Sequence, residues 1–305
     1  MKHHHVVMTL PKVLRHICKL NDELIYNLLF ELSSKVLQDW FMKKHGLIPG
    51  IVSVLHTAGS DLKEHPHVHM IVSAGGLNQS NYEIKKLKSY FLTRQRFLAN
   101  KLREAMVLKL SGLYKRDKLI VPKRWNKTNG QFLKWLQTIG DKQWIVSIQK
   151  PLENLNQIVG YVGRYTKRAC ISEYKIVRIK NDYVSFKYND YKNTPRGEAP
   201  LQSIKKLHYV EFLDQLLKHV PNKSFRMVRY YGAYTSHYKK YLPINEVVIK
   251  EVEKVELEHS WGEFEELRKK DLELGKPDPL TCPHCKVKLK HAGLIFIKTI
   301  HYDDS

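Results

Sequence analysis

The segment His65-Pro66-His67-Val68-His69-Met70-Ile71-Val72 constrains this chain more than any other. Side chains alternate between the two faces of a strand. On that spacing His67, His69 and Ile71 share one face, while Val68, Met70 and Val72 share the other and supply core. Two imidazoles one pleat apart can hold a single divalent metal ion, since neutral imidazole is the commonest nitrogen ligand. Residues 51–56 read as a second strand, separated from the first by a polar stretch from Gly59 to Glu64, so the two pair as antiparallel neighbours. That pairing brings His56 forward as a third ligand. His65 is its rival, although Pro66 disturbs the strand there.

The rest of the chain alternates between strand and helix signals. Residues 6–10 read as a strand, entered directly from His3, His4 and His5, which carry no assigned role. Residues 12–42 have helical periodicity in Leu14, Ile17, Leu20, Leu24, Leu28, Leu32 and Leu37. Gly75-Gly76 ends the histidine strand. A basic helix is expected over 82–109, with Arg94 and Lys101 among its cations as candidate DNA-binding residues and Tyr90, Phe91 and Phe97 interleaved, a mix that suits single-stranded DNA or, equally, an amphipathic helix with a solvated face. Further strands are expected at 144–148, 174–179, 183–188 and 225–230, and helices at 153–169 and 208–219. Asn181-Asp182 separates two of those strands as a hairpin turn. The fold class is α+β, with an antiparallel sheet and flanking helices.

Composition shifts near residue 243. Residues 246–273 hold ten acidic side chains against five Lys and Arg, in a chain whose formal net charge is +22. A catalytic domain over 1–242 is therefore expected, followed by a charged helical arm within 243–305. Cys282-Pro283-His284-Cys285 in that second part has the spacing of half a zinc site, with Cys282 and Cys285 as structural ligands. So large a positive charge opposes compaction by self-repulsion and points to a polyanionic partner, of which nucleic acid is the commonest. No stretch approaches the roughly 20 apolar residues that span a bilayer. The N-terminus lacks an apolar signal core, and four cysteines form no disulfide framework. A reduced, cytoplasmic protein is expected.

Tyr161-Val162-Gly163-Arg164-Tyr165 falls in the helix expected over 153–169. Residues i and i+4 share a helix face, so both phenols point one way. Arg164, Lys167 and Arg168 surround them with positive charge suited to a phosphate backbone. The alternative is an aromatic pair packed in the core. Gly160 and Gly163 speak against it, because glycine weakens a helix and is useful where a ligand must come close. Lys187, Tyr188, Arg226, Arg229, Tyr230 and Tyr231 are further candidates for contact with DNA.

Two histidines around one bulky apolar residue, a tyrosine pair on a separate helix and a basic surround resemble the HUH endonucleases. The segments VLHTAGSDLKEHPHVHMIVSAGGL (54–77), YVGRYTKRACIS (161–172), VSFKYNDYK (184–192) and FRMVRYYGAY (225–234), in that order, resemble the two-tyrosine insertion-sequence transposases, which move by a rolling-circle route. The similarity runs from about residue 5 to 235. It implies a central antiparallel sheet of HUH type, and Mg²⁺ or Mn²⁺ held by His67 and His69 with His56. It implies attack by Tyr161 or Tyr165 on single-stranded DNA to form a 5′-phosphotyrosine, with the second tyrosine carrying a second strand transfer. Transposon ends and target are the implied DNA partners, and host replication proteins are candidate partners. Related transposases carry a cysteine-rich zinc-binding segment before the position of Met1, and this chain is expected to lack it. A replication initiator of the same chemistry, or an impaired chain that only binds DNA, are the alternatives.

Overall fold

The computed structural model describes residues 1–87, 93–123, 125, 130–139, 144–149, 170–191, 193–195 and 198–242, and residues 266, 269, 272 and 273. It divides into two compact units, Met1–Pro243 and Ile244–Ser305. Cys282 and Cys285 lie outside the described residues, as does nearly all of the charged arm.

In the first unit the chain runs β1 (His3–Thr9), α1 (Arg15–Leu20), α2 (Asp22–His45), β2 (Leu47–Ile48), β3 (Gly50–Ala58), β4 (Glu64–Ser73), β5 (Gly75–Asn78), β6 (Ile84–Lys86), α3 (Gln95–Lys115), α4 (Gln131–Thr138) and β7 (Ile145–Ile148). It continues through β8 (Ile176–Lys180), β9 (Tyr183–Asp190), β10 (Leu201–His208), α5 (Tyr209–Leu217) and β11 (Val228–Gly232). The mixed α+β fold centres on a five-stranded sheet in the order β11-β3-β4-β1-β7, antiparallel throughout.

The alternation read from the sequence produces a two-faced sheet. Val68, Met70 and Val72 of β4 lie beside Val6 and Met8 of β1 and Ile51 and Leu55 of β3, all buried. This face packs against α2 and α3 in one continuous core. The other face carries the histidines.

The single helix expected over 12–42 is broken at Asn21, which has left helical geometry (φ −149°, ψ 44°). Its amide nitrogen donates to the carbonyls of Ile17 and Ile120, and its oxygen accepts from the Ile120 N–H at 2.9 Å. The Asn21 side chain thus clasps a residue 99 positions away at the break, while its backbone N–H still bonds Cys18 and its carbonyl accepts from the Ile25 N–H. The second piece, α2, begins with Asp22 and Glu23 and ends with Lys43, Lys44 and His45, each complementing the local end of the helix dipole. Gly46, at φ +64°, closes it with a backbone bond to Met42.

Other boundaries are also corrected. The basic helix begins at Gln95, not 82, because residues 84–86 form β6, paired to β5, which pairs in turn to β2. The histidine strand β4 does end at Ser73, ahead of Gly75-Gly76, and these glycines open β5 of the small second sheet. The strand expected at 225–230 lies at Val228–Gly232.

A third sheet, β10-β9-β8, has its own apolar cluster of Val184, Phe186, Leu207 and Phe212 with Leu62. Asn181 and Asp182 both have positive φ, as the two central residues of the favoured hairpin turn require. This sheet is tied to the turn after β3. The Lys205 ammonium donates to the Asp61 carbonyl, and His219 bonds to Thr57 and to the Leu62 carbonyl. No helix among the described residues is long and apolar enough to cross a membrane.

Candidate metal centre

An open cleft of about 1390 Å³ lies between the histidine face of the central sheet and the third sheet. The antiparallel register of β3 and β4 builds its floor. His56 faces His67 directly, and His69, which faces Val54, lies one pleat further along. Residues opposite one another, or offset by two, on the same face of a sheet are within side-chain reach. The three rings converge accordingly: centroids are 4.5 Å apart for His56–His69, 4.8 Å for His67–His69 and 5.4 Å for His56–His67. One ring nitrogen from each lies within 4.8 Å of the other two. Among the described residues these three are the group of His, Cys, Asp and Glu side chains able to hold a metal ion.

The protonation chemistry suits ligation. The Nδ1 of His67 is 2.5 Å from the His65 carbonyl oxygen. A carbonyl only accepts, so Nδ1 carries the proton and Nε2 keeps its lone pair. Burial pushes the His67 pKa down to about 3, keeping the ring neutral. His65, the rival third ligand, stands outside the group. Its Nδ1 accepts from the Arg15 guanidinium at 2.6 Å, which occupies a lone pair that ligation would need. Burial, and then Arg15, hold its pKa below the ordinary value. Three imidazoles, each ligating through a ring nitrogen, form a donor set that fits a divalent first-row ion.

Arg15, Lys63, Lys175 and Lys205 line the cleft as cations, and Tyr188 lines it too. Lys187, the neighbour of Tyr188 on β9, alternates to the opposite face and is exposed. Arg94 caps the start of α3 and is exposed, and Lys101 on that helix pairs with Glu104 at 2.8 Å. Arg229 is a structural cation. It donates to Asn27 at 2.5 Å and lies over the rings of Phe30 and Phe225 at 4.3 and 5.1 Å. Tyr161, Tyr165, Arg164, Lys167 and Arg168 lie outside the described residues.

Sequence reasoning missed His5. Its ring is buried and its Nε2 lies 2.9 Å from Nδ1 of His69. The signal existed in the alternation of His3 and His5 on β1, but only the pairing of β1 with β4 shows what His5 meets.

Residues 50–241 match the family profile Y2_Tnp, described as "Putative transposase". The chain is 30% identical over 240 residues to "Putative transposase y4qJ" of Sinorhizobium fredii, covering 77% of this chain and 59% of that protein. It is 28% identical over 238 residues to the "Transposase for insertion sequence element IS801" of Pseudomonas savastanoi pv. phaseolicola, covering 75% of this chain and 53% of that protein. The chain thus spans between half and three-fifths of the length of these relatives. No solved structure matches it. With the profile spanning β3 and β4, which carry His56, His67 and His69, and β11, this chain belongs to the Y2_Tnp transposase family.

Proposed function

We propose that this chain is a transposase of the two-tyrosine HUH type that nicks and rejoins single-stranded DNA at transposon ends. The observation that carries this reading is the convergence of His56, His67 and His69 on the floor of a cation-lined cleft. Family membership and the net charge of +22 support it. His56, His67 and His69 would hold the divalent ion. When bound, such an ion polarises the scissile phosphate and offsets the charge that develops there.

The chain's own residues supply the rest. Arg15, Lys63, Lys175 and Lys205 attract the DNA backbone into the cleft. A phenol has a pKa near 10 and is a weak nucleophile at neutral pH, so it needs an activated phosphate. The hydroxyl oxygen of Tyr161 or Tyr165 attacks phosphorus and loses its proton to solvent. A tyrosine–phosphate bond forms at the 5′ side, the bond to the 3′ oxygen breaks, and that oxygen leaves as a hydroxyl. The phosphotyrosine conserves the bond energy, so rejoining needs no ATP. The second tyrosine performs the second transfer while the first end stays attached.

All three ligands are nitrogen donors, which Mg²⁺ binds poorly and Mn²⁺ tolerates. Mn²⁺ is therefore expected to support more cleavage than Mg²⁺ at equal concentration. The test is a labelled single-stranded oligonucleotide carrying a transposon end, scored for a covalent protein–DNA adduct. Adduct is expected from the native chain and absent from His67→Ala and from the Tyr161→Phe/Tyr165→Phe double variant. No adduct on any end sequence would leave a chain that only binds DNA. Adduct on a replication origin but not on transposon ends would make it an initiator.

A further inference from the structure

His5 and Gln149 stand behind His69 in a hydrogen-bonded line. On β1, Val7 faces His69 and His5 faces Ile71, so His5 is the diagonal neighbour of His69 on the same face. The two rings are nearly parallel, at 6°, with centroids 5.2 Å apart. Nε2 of His5 lies 2.9 Å from Nδ1 of His69, and Nδ1 of His5 lies 2.7 Å from Oε1 of Gln149. The Gln149 backbone N–H donates to the His5 carbonyl at 2.9 Å, which anchors the glutamine just past β7.

The direction of this line follows from its first member. An amide oxygen only accepts, so Nδ1 of His5 carries a proton. At pH 8, above the ordinary imidazole range, the ring is neutral and a neutral imidazole carries one proton. Its Nε2 therefore accepts, and Nδ1 of His69 must donate to it. The remaining lone pair of His69 is then on Nε2. The arrangement parallels that at His67, where the His65 carbonyl fixes the same tautomer. Were the line reversed, His69 would carry its proton on Nε2 and lose that nitrogen as a ligand.

We infer that His5 and Gln149 are positioning residues that select the metal-ligating tautomer of His69. The inference rests on the metal reading proposed above. Partners of this kind, one bond removed from a metal, typically contribute 10–100-fold to affinity.

The test uses the full chain with ¹⁵N-labelled histidine, metal-free and at pH 8, where NMR reports the tautomer of each ring. His69 is expected as Nδ1–H in the native chain and in Gln149→Glu, whose carboxylate also only accepts. His5→Phe and Gln149→Lys, which remove the acceptor, are expected to shift His69 towards Nε2–H. Mn²⁺ affinity by calorimetry should fall about 10–100-fold in these two and stay near native in Gln149→Glu. Gln149 is exposed, so the melting temperature of its variants should barely move, which separates positioning from folding. An unchanged His69 tautomer in both His5→Phe and Gln149→Lys overturns the inference, whatever the affinity does. A tautomer that shifts as expected in a chain with no Mn²⁺ site, with His67→Ala indistinguishable from native, upholds the relay and removes the metal reading instead.

Discussion

Gly232 shows how narrowly single residues hold this site in shape. It ends β11, the strand that pairs with β3 and so supports His56, and it adopts φ +57°. A Cβ built there would lie 2.0 Å from the Pro49 carbonyl oxygen, a backbone atom that cannot swing away. Gly232→Ala should therefore destabilise by about 1–3 kcal/mol, the usual scale of enforced backbone strain, read as a lower urea midpoint at unchanged slope. His3 makes a second case. Burial pushes its pKa down to about 4, and its ring bonds to the Tyr234 hydroxyl. Between pH 6.5 and 4 the unfolded chain takes up a proton at this position that the folded chain does not, so stability falls as pH drops through that window. Thermal melts should show this loss, and His3→Leu should flatten the pH dependence there. A slope unchanged by His3→Leu would assign the acid sensitivity elsewhere.

At the scale of elements, periodicity was legible where the pattern is local and failed where pairing partners are distant. The alternation of Val68, Met70 and Val72 against His67 and His69 revealed β4 and its two faces before any fold was known. Asn181-Asp182 revealed the β8–β9 hairpin. By contrast, β10 reads Leu-Gln-Ser-Ile-Lys-Lys-Leu-His, with adjacent lysines that mask its alternation, and only pairing with β9 makes it a strand. The break at Asn21 was equally hidden, because its partner Ile120 is remote in sequence. Helix α3 tests the same distinction. Leu98, Leu102, Met106 and Leu110 recur every four residues and are fully buried, whereas Leu108 on the same helix is 74% exposed. Leu102→Ala should cost about 2–5 kcal/mol through lost burial and the cavity left behind. Leu108→Ala should stay within about 0.5 kcal/mol, as surface changes do. Equal costs in denaturant titrations would contradict the packing of α3 on the central sheet.

Across the whole molecule, the excess of 22 positive charges and the placement of cations around the histidine cleft make separable demands. Binding by phosphate neutralisation releases counterions, so affinity for DNA should fall steeply with salt, by about 10³–10⁵ between 50 and 200 mM if six to ten phosphates are engaged. A chain that bound chiefly through bases or apolar contacts would show a shallow slope in the same anisotropy titration. The cleft predicts which cations matter. Lys175 lines it and is half-buried, so Lys175→Ala should lower the log–log salt slope for single-stranded DNA by about 0.7, the loss of one phosphate contact. Lys101 is already paired with Glu104 on an exposed helix face away from the lining of the cleft, so Lys101→Ala should change the slope less. His67→Ala should leave the slope intact while abolishing cleavage, since the imidazole is neutral and contributes no counterion release. If binding and cleavage instead fell together in His67→Ala, the histidine cluster would be holding the DNA surface in shape rather than acting on the phosphate.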